Sequence, residues 1–261
     1  KKNNLKRKYK CVVIGAGRIG AFFDKPGNRN ILTHAHAYYS NPKTELVGFF
    51  DIDYKTARKA AKIWSSQAFG SMGELFASVK PDIVSICVPD EYHFSMLEEV
   101  AKYHPRLVIC EKPVTSAIKD TEVVIKLYKQ KNIPVLVNYS RRFDSTVQRI
   151  KLEMDKNKYG KIICASAIYN KGILHNGSHA LDLARYFFGN VESTQSLYKL
   201  DDFRSTDHTV AAFIKFKKCP QFFLMASDSR CHSIFEFDII CERARFRFVD
   251  SGFSIMKQSV I

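Results

Sequence analysis

The chain has 261 residues, of which 46% are hydrophobic and 26% are charged, and its formal net charge is +15 at pH 7. This composition is too apolar for a mainly disordered chain, and no apolar run approaches the ~18 residues of a membrane-spanning helix. The length allows one large domain or two modest ones. No hydrophobic segment typical of a signal peptide precedes the first strand-like run, so we expect a cytoplasmic protein.

Charge and cysteine content bear on the partners of the chain. Six of the positive charges fall within the first ten residues. A basic surface favours anionic partners such as phosphates, nucleotide ligands or nucleic acid. The first ten residues form a basic leader. Nucleic-acid binding through this leader is a weak functional hypothesis, because no known nucleic-acid-binding motif is present. The seven cysteines have no CxxC spacing, and they predict neither a disulfide framework nor a metal site.

The first half of the chain alternates strand-like runs with amphipathic stretches, which predicts a doubly wound parallel sheet over residues 1–140. A capping box formed by Ser71 and Glu74 predicts one short helix. The other predicted elements are strands at residues 9–14, 45–51, 82–88, 107–110 and 135–138 and helices at residues 54–65, 92–103 and 118–131.

The second half, residues 141–261, has a different pattern. Helices are predicted at residues 145–156, begun by a Ser145–Gln148 capping box, and at residues 178–188, ended by Gly189. Several later segments alternate apolar and polar residues, so we predict an α+β domain with a mostly antiparallel open sheet. The predicted strands are at residues 209–216, 222–225, 235–241, 244–249 and 253–258.

A GxGxxG motif follows the first predicted strand. Gly15 permits a tight turn, Gly17 lets the backbone approach a pyrophosphate, and Gly20 packs a helix on the sheet. The helix N-terminus adds amide donors for the anion. In this position the motif predicts a dinucleotide-binding loop, and the alternative is a glycine-rich turn without a ligand.

Asp51 ends the second predicted strand, where a carboxylate accepts hydrogen bonds from the adenosine ribose and repels a 2′-phosphate, so NAD is favoured over NADP. The interval before Asp51 exceeds the usual ~20 residues. The excess indicates an insertion at residues 24–30 that interrupts the first helix. Lys25 and Arg29 in the insertion can reach a phosphate, which keeps NADP open, and Asp53 is a second carboxylate or only a helix cap.

Two groups are candidates for proton chemistry. Lys112 follows a predicted strand and so lies at the ligand end of a doubly wound sheet, although a lysine there is often only a solvated charge. His179 lies in the first turn of a predicted helix, where an imidazole suits proton exchange near neutral pH. The alternative for His179 is a hydrogen-bonded core histidine. Asp182 shares a helix face with His179.

These motifs, in this order, resemble the Gfo/Idh/MocA oxidoreductases, the relatives of glucose–fructose oxidoreductase and inositol dehydrogenase. The similarity spans residues 9–189. It rests on the glycine motif and on the segments Asp51-Ile52-Asp53, Val88-Pro89 with His93, Glu111-Lys112-Pro113, Asn138-Tyr139-Ser140-Arg141-Arg142-Phe143 and His179 with Asp182-Leu183.

The resemblance implies an N-terminal NAD(P)-binding Rossmann domain over residues 1–140 and a C-terminal domain over residues 141–261 for substrate binding and for assembly as a homodimer or homotetramer. We expect no metal. Lys112 and His179 match catalytic positions, and His175 joins them as a candidate. The implied cofactor contacts are Gly15, Gly17, Arg18, Ile19, Gly20, Asp51, Pro89, His93 and Glu111, and the candidate substrate contacts are Arg141, Arg142 and Asp182.

The implied activity is hydride transfer between NAD and a hydroxyl-bearing carbon of a sugar, amino-sugar or polyol derivative. The basic surface favours a phosphorylated or nucleotide-linked sugar. In oxidation, His179 takes the hydroxyl proton while Lys112 stabilises the developing charge.

Three departures from the family pattern leave alternatives open. His175 stands where polyol-oxidising relatives carry an aspartate, four residues before the histidine. The insertion brings the segment Thr33-His34-Ala35-His36 toward the cofactor or the substrate. The chain is also shorter than most relatives, which indicates lost strands or a truncated C-terminal sheet. A catalytically inactive dinucleotide-binding regulator or partner protein of the same fold is the alternative function.

Overall fold

The computed structural model describes residues 7–259, so most of the predicted basic leader lies outside the described residues. The described chain forms two compact units, the first ending at Asn138 and the second beginning at Tyr139. Within residues 7–259, no helix combines the length and the apolar character needed to cross a bilayer.

The first unit is built on a six-stranded parallel sheet. Its strands are β1 (Tyr9–Ile14), β2 (Thr44–Phe50), β3 (Gln67–Phe69), β4 (Ile83–Ile86), β5 (Leu107–Cys110) and β6 (Val135–Val137). They are arranged in the order β3-β2-β1-β4-β5-β6, and every pair is parallel. The strand order reverses between β1 and β4, as in the Rossmann fold, and ligands of such sheets bind beyond the carboxyl ends of the strands. The predicted doubly wound sheet is confirmed.

Helices cover both faces of this sheet. They are α1 (His34–Ser40), α2 (Tyr54–Trp64), α3 (Met72–Val79), α4 (His93–Ala101) and α5 (Ile118–Gln130). Alternate side chains of β1 enter different cores: Val12 and Ile14 join one cluster, whereas Cys11 and Val13 join the other with Trp64. This two-residue period is that of a strand buried on both faces.

Two helix caps follow from the sequence. Asp53 accepts a hydrogen bond from the amide of Lys55 and caps α2, which was the structural alternative for this carboxylate. Ser71 accepts from the amide of Glu74 and caps α3, as predicted. In both cases the cap oxygen satisfies an amide that has no partner within the helix.

The insertion interrupts the first helix, as the sequence predicts. A short π-helical turn covers Arg18–Phe22, and α1, which was not predicted, begins only after the insertion. The intervening segment folds around the buried carboxylate of Asp24. This group accepts hydrogen bonds from the amides of Leu32 and Thr33, from the Thr33 hydroxyl and from Nδ1 of His36, at 2.5–3.2 Å. Burial alone raises the pKa of Asp24, but these hydrogen bonds outweigh burial and lower it.

We expect Asp24→Asn to lower the free energy of unfolding by about 2 kcal/mol, because the amide accepts fewer hydrogen bonds and turns its NH₂ group toward donors. The folded-state pKa of Asp24 is lowered, so its stabilisation is present near neutral pH and is lost as the pH falls through that pKa. The deficit of the variant therefore shrinks in acid. The deficit is measured by urea unfolding at each pH, monitored through the fluorescence of the single tryptophan, Trp64.

The control for this experiment is Glu122→Gln, which removes an exposed carboxylate from the same unit. We expect it to leave the unfolding curve almost unchanged. A deficit for Asp24→Asn that stays constant from neutral to acid pH would contradict an ionised Asp24 as the anchor of the insertion.

The second unit contains a seven-stranded open sheet. Its strands are β7 (Ile162–Tyr169), β8 (Val191–Arg204), β9 (Asp207–Phe216), β10 (Cys219–Ala226), β11 (Phe235–Cys241), β12 (Ala244–Val249) and β13 (Ser254–Ser259). Their order is β13-β12-β11-β7-β10-β9-β8. Strands β7 and β10 pair in parallel, and the other pairs described in this second sheet are antiparallel. The predicted α+β domain with a mostly antiparallel sheet is confirmed.

An aromatic core fixes α7 (Ser178–Phe188) on one face of this sheet. The Phe187 and Phe188 rings pack against Phe237, with centroids 6.5 and 6.0 Å apart. Phe188 also contacts Phe216 and Phe222. Fully burying a side chain of this size contributes roughly 1.5–3 kcal/mol. The packing holds rigidly the helix that carries His179.

Besides helix α1, three strands and one cap differ from the sequence prediction. Strands β3, β7 and β8 were missed: β3 has only three residues, β7 contains alanine and serine at its centre, and β8 is an exposed strand without apolar alternation. Helix α6 (Ser145–Asp155) is capped by Asp144, which accepts from the amides of Thr146 and Val147. The predicted Ser145–Gln148 box was wrong because Ser145 is already helical.

Candidate active site

The glycine motif forms the turn after β1. A Cβ on Gly15, whose φ is +89°, would lie 2.6 Å from backbone atoms of Cys87 and Val88, and one on Gly20 would lie 2.2 Å from the Gly15 carbonyl oxygen. Packing therefore requires both glycines. A Cβ on Gly17 would meet no heavy atom within 4 Å. Nothing in the described chain requires glycine there, which fits a ligand approaching its backbone.

An acidic acceptor lies beside this loop. Asp51 follows β2, and its carboxylate accepts hydrogen bonds from the amides of Ala16 at 2.8 Å and Asp53 at 3.0 Å. A carboxylate has about four acceptor positions, so it can still bind ribose hydroxyls. Open backbone at Gly17, followed by the turn that begins with Arg18 and Ile19, completes the features that a dinucleotide needs. The glycine loop and Asp51 therefore fit a bound dinucleotide.

We expect Gly17→Ala to weaken NADH binding by about tenfold or more, because its methyl group takes the space of the pyrophosphate. Its melting temperature stays close to that of the wild type, because φ of Gly17 is −76° and the methyl group meets no protein atom. Gly20→Ala is the matched control with the opposite pattern, since its methyl group overlaps the Gly15 carbonyl and lowers stability. Fluorescence titration and thermal unfolding separate the two effects.

The same titration compares NADH with NADPH. Preference for NADH supports the assignment of Asp51 to the ribose, since its charge repels a 2′-phosphate. Preference for NADPH would assign phosphate binding to the exposed Lys25 or Arg29 of the insertion. Unaltered NADH affinity in Gly17→Ala would remove the loop from the cofactor site.

Glu111 lies just after β5 in a buried hydrogen-bond network. Its Oε1 lies 2.9 Å from Nε2 of His34 and accepts from the side-chain amide of Asn138 at 2.6 Å. The Ser85 hydroxyl lies 2.8 Å from Nδ1 of His34 and 2.6 Å from the Tyr38 hydroxyl. An ionised carboxylate only accepts hydrogen bonds, so Nε2 of His34 donates to Glu111.

This network keeps Glu111 ionised. Burial raises its pKa, but the hydrogen bond and charge of His34 outweigh burial, with smaller contributions from Asn138 and Lys112, and the pKa is lowered. The sequence indicates His34 only as part of a segment near the cofactor or the substrate, and Ser85 was not predicted. The signal for Ser85 was present, because it is the one polar residue of the buried strand β4.

His93 joins two loops at the carboxyl edge of the sheet. It is 1% exposed, and its Nδ1 and Nε2 lie 2.6 and 2.9 Å from the carbonyl oxygens of Pro113 and Val88. Pro89 follows Val88 and precedes the first turn of α4. The contacts of His93 hold the segments on which Pro89 and Lys112 lie, while a direct cofactor contact of His93 or Pro89 stays a prediction.

In the second unit, His175 lies in a π-helical turn, Gly172–Gly177, directly before α7. The carboxylate of Asp207 holds this turn by accepting from the amides of Leu174 and His175, both at 2.8 Å. A Cβ on Gly172 would lie 2.1 Å from this carboxylate. Asp207 is a positioning residue that the sequence analysis missed, because its partners lie more than thirty positions away in the chain.

We expect Asp207→Asn to loosen the turn that carries His175, because an amide group replaces one of the two acceptor oxygens. Hydrogen exchange at residues 172–177 accelerates by about tenfold, while exchange in the core of α7 changes little. Asp201→Asn, an exposed change on the neighbouring strand, is the matched control. Equal exchange in the two variants would show that Asp207 does not hold the turn.

His179 lies in the first turn of α7, as predicted. Its ring meets Tyr139 and Phe235 edge-on, with centroids 5.9 and 6.2 Å apart. One turn later, Asp182 pairs with Arg142 through two contacts of 2.6 Å. Burial raises the pKa of Asp182 even though Arg142 opposes that shift. Arg142 and Asp182 are thus bound to each other.

Arg141 has a different environment from its neighbour. Its guanidinium stacks on Phe235 at 4.2 Å and donates to the carbonyl oxygen of Ser251 at 2.9 Å. Within residues 7–259, no three or more His, Cys, Asp or Glu side chains are grouped to hold a metal ion.

The comparisons with known proteins identify the family. Residues 9–139, half of the chain, match the model of the Gfo/Idh/MocA oxidoreductase family, which is described as having an NAD-binding Rossmann fold. The chain belongs to this family.

Individual relatives are distant in sequence. The scyllo-inositol 2-dehydrogenase (NAD(+)) of Bacillus subtilis (strain 168) is 25% identical over 209 residues, which are 71% of this chain and 55% of that protein. The D-glucoside 3-dehydrogenase of Escherichia coli (strain K12) is 23% identical over 202 residues, 69% of this chain and 54% of that protein. The chain therefore spans about half the length of the curated relatives it matches.

A solved structure has the same fold over nearly the whole chain. The WlbA dehydrogenase from Bordetella pertussis, in complex with NADH and UDP-GlcNAcA, matches with a TM-score of 0.81 over 98% of this chain and 78% of its own. The two sequences are 18% identical, so this similarity is evidence for the fold alone.

Proposed function

We propose that the protein is an NAD-dependent oxidoreductase that transfers a hydride between the nicotinamide and a hydroxyl-bearing carbon of a sugar, amino-sugar or polyol derivative. The observation that carries the proposal is the glycine loop of a family member, in which Gly17 leaves its backbone open beside the acceptor Asp51. Two relatives support the substrate class, since they are dehydrogenases of an inositol and of a glucoside.

Lys112 and His179, which match the family's catalytic positions, have separate roles in this proposal. When bound, the dinucleotide supplies the hydride chemistry. In the direction of oxidation, an imidazole nitrogen of His179 takes the hydroxyl proton, and Nζ of Lys112 donates to the same oxygen and stabilises its developing charge. The ionised Glu111 next to Lys112 favours the charged, donating form of the lysine. His175, in the turn before α7, orients His179 or binds a second substrate hydroxyl.

The second unit binds the substrate and carries the oligomer interface in this proposal. Apolar side chains are exposed on the sheet face opposite α7, among them Phe223, Met225 and Ile240, with 37–43% of each residue accessible. Together with the family's implied association through this sheet, they support a homodimer or homotetramer, because contiguous apolar patches mark interaction surfaces.

A cytoplasmic location is also part of the proposal. All seven cysteines are free thiols, and five of them are buried. A reducing compartment preserves that state, whereas disulfides form and persist in oxidising compartments.

We expect Lys112→Ala to lower kcat by about 100-fold or more, because the donor to the developing oxyanion is lost. NADH affinity changes by less than about threefold, since the glycine loop and Asp51 are intact. The measurement is NADH formation with a panel of inositols, hexoses and amino-sugars. Lys119→Ala, an exposed lysine on α5, is the matched control and leaves both quantities unchanged.

Two outcomes would overturn parts of this proposal. Full turnover in Lys112→Ala would remove the lysine from the catalytic step. Tight NADH binding by the wild type, without hydride transfer to any member of the panel, would instead favour the inactive dinucleotide-binding regulator.

A further inference from the structure

We propose that Arg141 is the receptor for an anionic group, a carboxylate or a phosphate, on the substrate. The inference rests on the proposed function and narrows its substrate class to acidic sugars. It concerns residues of the second unit only: Arg141 itself, the ring of Phe235, the turn that contacts the guanidinium, and His179, whose ring also contacts Phe235.

The first argument is the missing counter-ion. Arg142 is neutralised by two short contacts with Asp182. Arg141, one residue earlier, has no carboxylate within 4.0 Å in the described chain, and its polar partner is the neutral carbonyl group of Ser251. Burial, with no opposing acid, lowers the pKa of Arg141 to about 10. A half-buried, unpaired charge costs stability that an anionic ligand restores.

The second argument is the turn between β12 and β13, which is shaped around this guanidinium. Asp250, Ser251 and Gly252 have φ values of +53°, +58° and +81° in succession. The left-handed conformation costs roughly 1–2 kcal/mol for each residue other than glycine, so the surroundings must impose it. It directs the Ser251 carbonyl at Arg141, and a Cβ on Gly252 would lie 3.1 Å from Nε of the arginine.

The third argument is orientation. Stacking on Phe235 fixes the plane of the guanidinium, and the Ser251 contact uses only Nη2 among its nitrogens. A guanidinium has five N–H donors in a rigid fork that matches carboxylate and phosphate oxygens in pairs. The unused donors of Arg141 are therefore held in place for an oxyanion.

The fourth argument is proximity to the proposed catalytic histidine. His179 meets the Phe235 ring at 6.2 Å, and Arg141 stacks on the same ring at 4.2 Å. A substrate that presents a hydroxyl to His179 can therefore present an acidic substituent of the same sugar to Arg141. This geometry distinguishes Arg141 from Arg142, whose guanidinium is already bound to Asp182.

The test compares three sugars that share the glucopyranose ring: glucuronate, glucose 6-phosphate and glucose. Each is assayed for NADH formation with the wild type, Arg141→Gln, Arg141→Lys and Arg149→Gln. Arg149 lies exposed on α6 of the same unit and is the matched control. Thermal shift with each sugar in the presence of NADH adds a binding readout that needs no turnover.

We expect the wild type to prefer at least one acidic sugar to glucose. Arg141→Gln lowers kcat/KM for that sugar by about 30- to 100-fold, mainly through KM, with a much smaller loss for glucose. Arg141→Lys keeps the charge but loses the planar fork, so its loss is intermediate. Arg149→Gln behaves as the wild type. The preferred sugar, glucuronate or glucose 6-phosphate, identifies the oxyanion.

Equal losses for acidic and neutral sugars in Arg141→Gln, or no loss, would overturn the proposal. Failure of the proposed function gives a different result, in which NADH binds but no sugar is oxidised. The thermal shift still decides then: stabilisation by an acidic sugar that disappears in Arg141→Gln supports the anion receptor, and its absence in the wild type overturns it.

Discussion

The turn after β1 depends on one close approach of backbone to backbone. Gly15 lies so near the chain after β4 that a single methyl group would overlap Cys87 and Val88. Gly20 in turn packs on the carbonyl group of Gly15. Because these contacts fix the loop from below, Gly17 is left with its upper side open. The close contacts of Gly15 and Gly20 thus position the loop so that the backbone of Gly17 is open to a ligand beside the acceptor Asp51.

Buried carboxylates hold the irregular segments around the candidate site. Asp24 bonds to His36 across the insertion, and Glu111 bonds to His34 at the start of α1. Asp207 accepts a hydrogen bond from the amide of His175 and so holds its turn. Each accepts two or more hydrogen bonds, which offset the cost of removing the carboxylate oxygens from water. These carboxylates thereby position the segments that carry candidate site residues, as supporting contacts do in many preorganised sites.

The adjacent arginines of the second unit illustrate how pairing divides structural from binding roles. Arg142 and Asp182 form a two-point salt bridge that ties the segment after residue 139 to α7. Arg141 receives only a carbonyl oxygen and an aromatic ring. The two arginines thus have different roles. The guanidinium of Arg142 is paired within the fold, whereas that of Arg141 has donors left for an external anion.

The sequence by itself determined the alternating elements of the first unit, the requirement for glycine in the motif, and the bounds of α7, because periodicity and caps are local properties. Tertiary structure decided the rest. The His34–Glu111, His175–Asp207 and Arg142–Asp182 contacts join residues 77, 32 and 40 positions apart. No local pattern encodes such partners, since they meet only when strands from distant parts of the chain become neighbours. The sequence therefore named Arg141 and Arg142 together, and only the fold separated the paired arginine from the unpaired one.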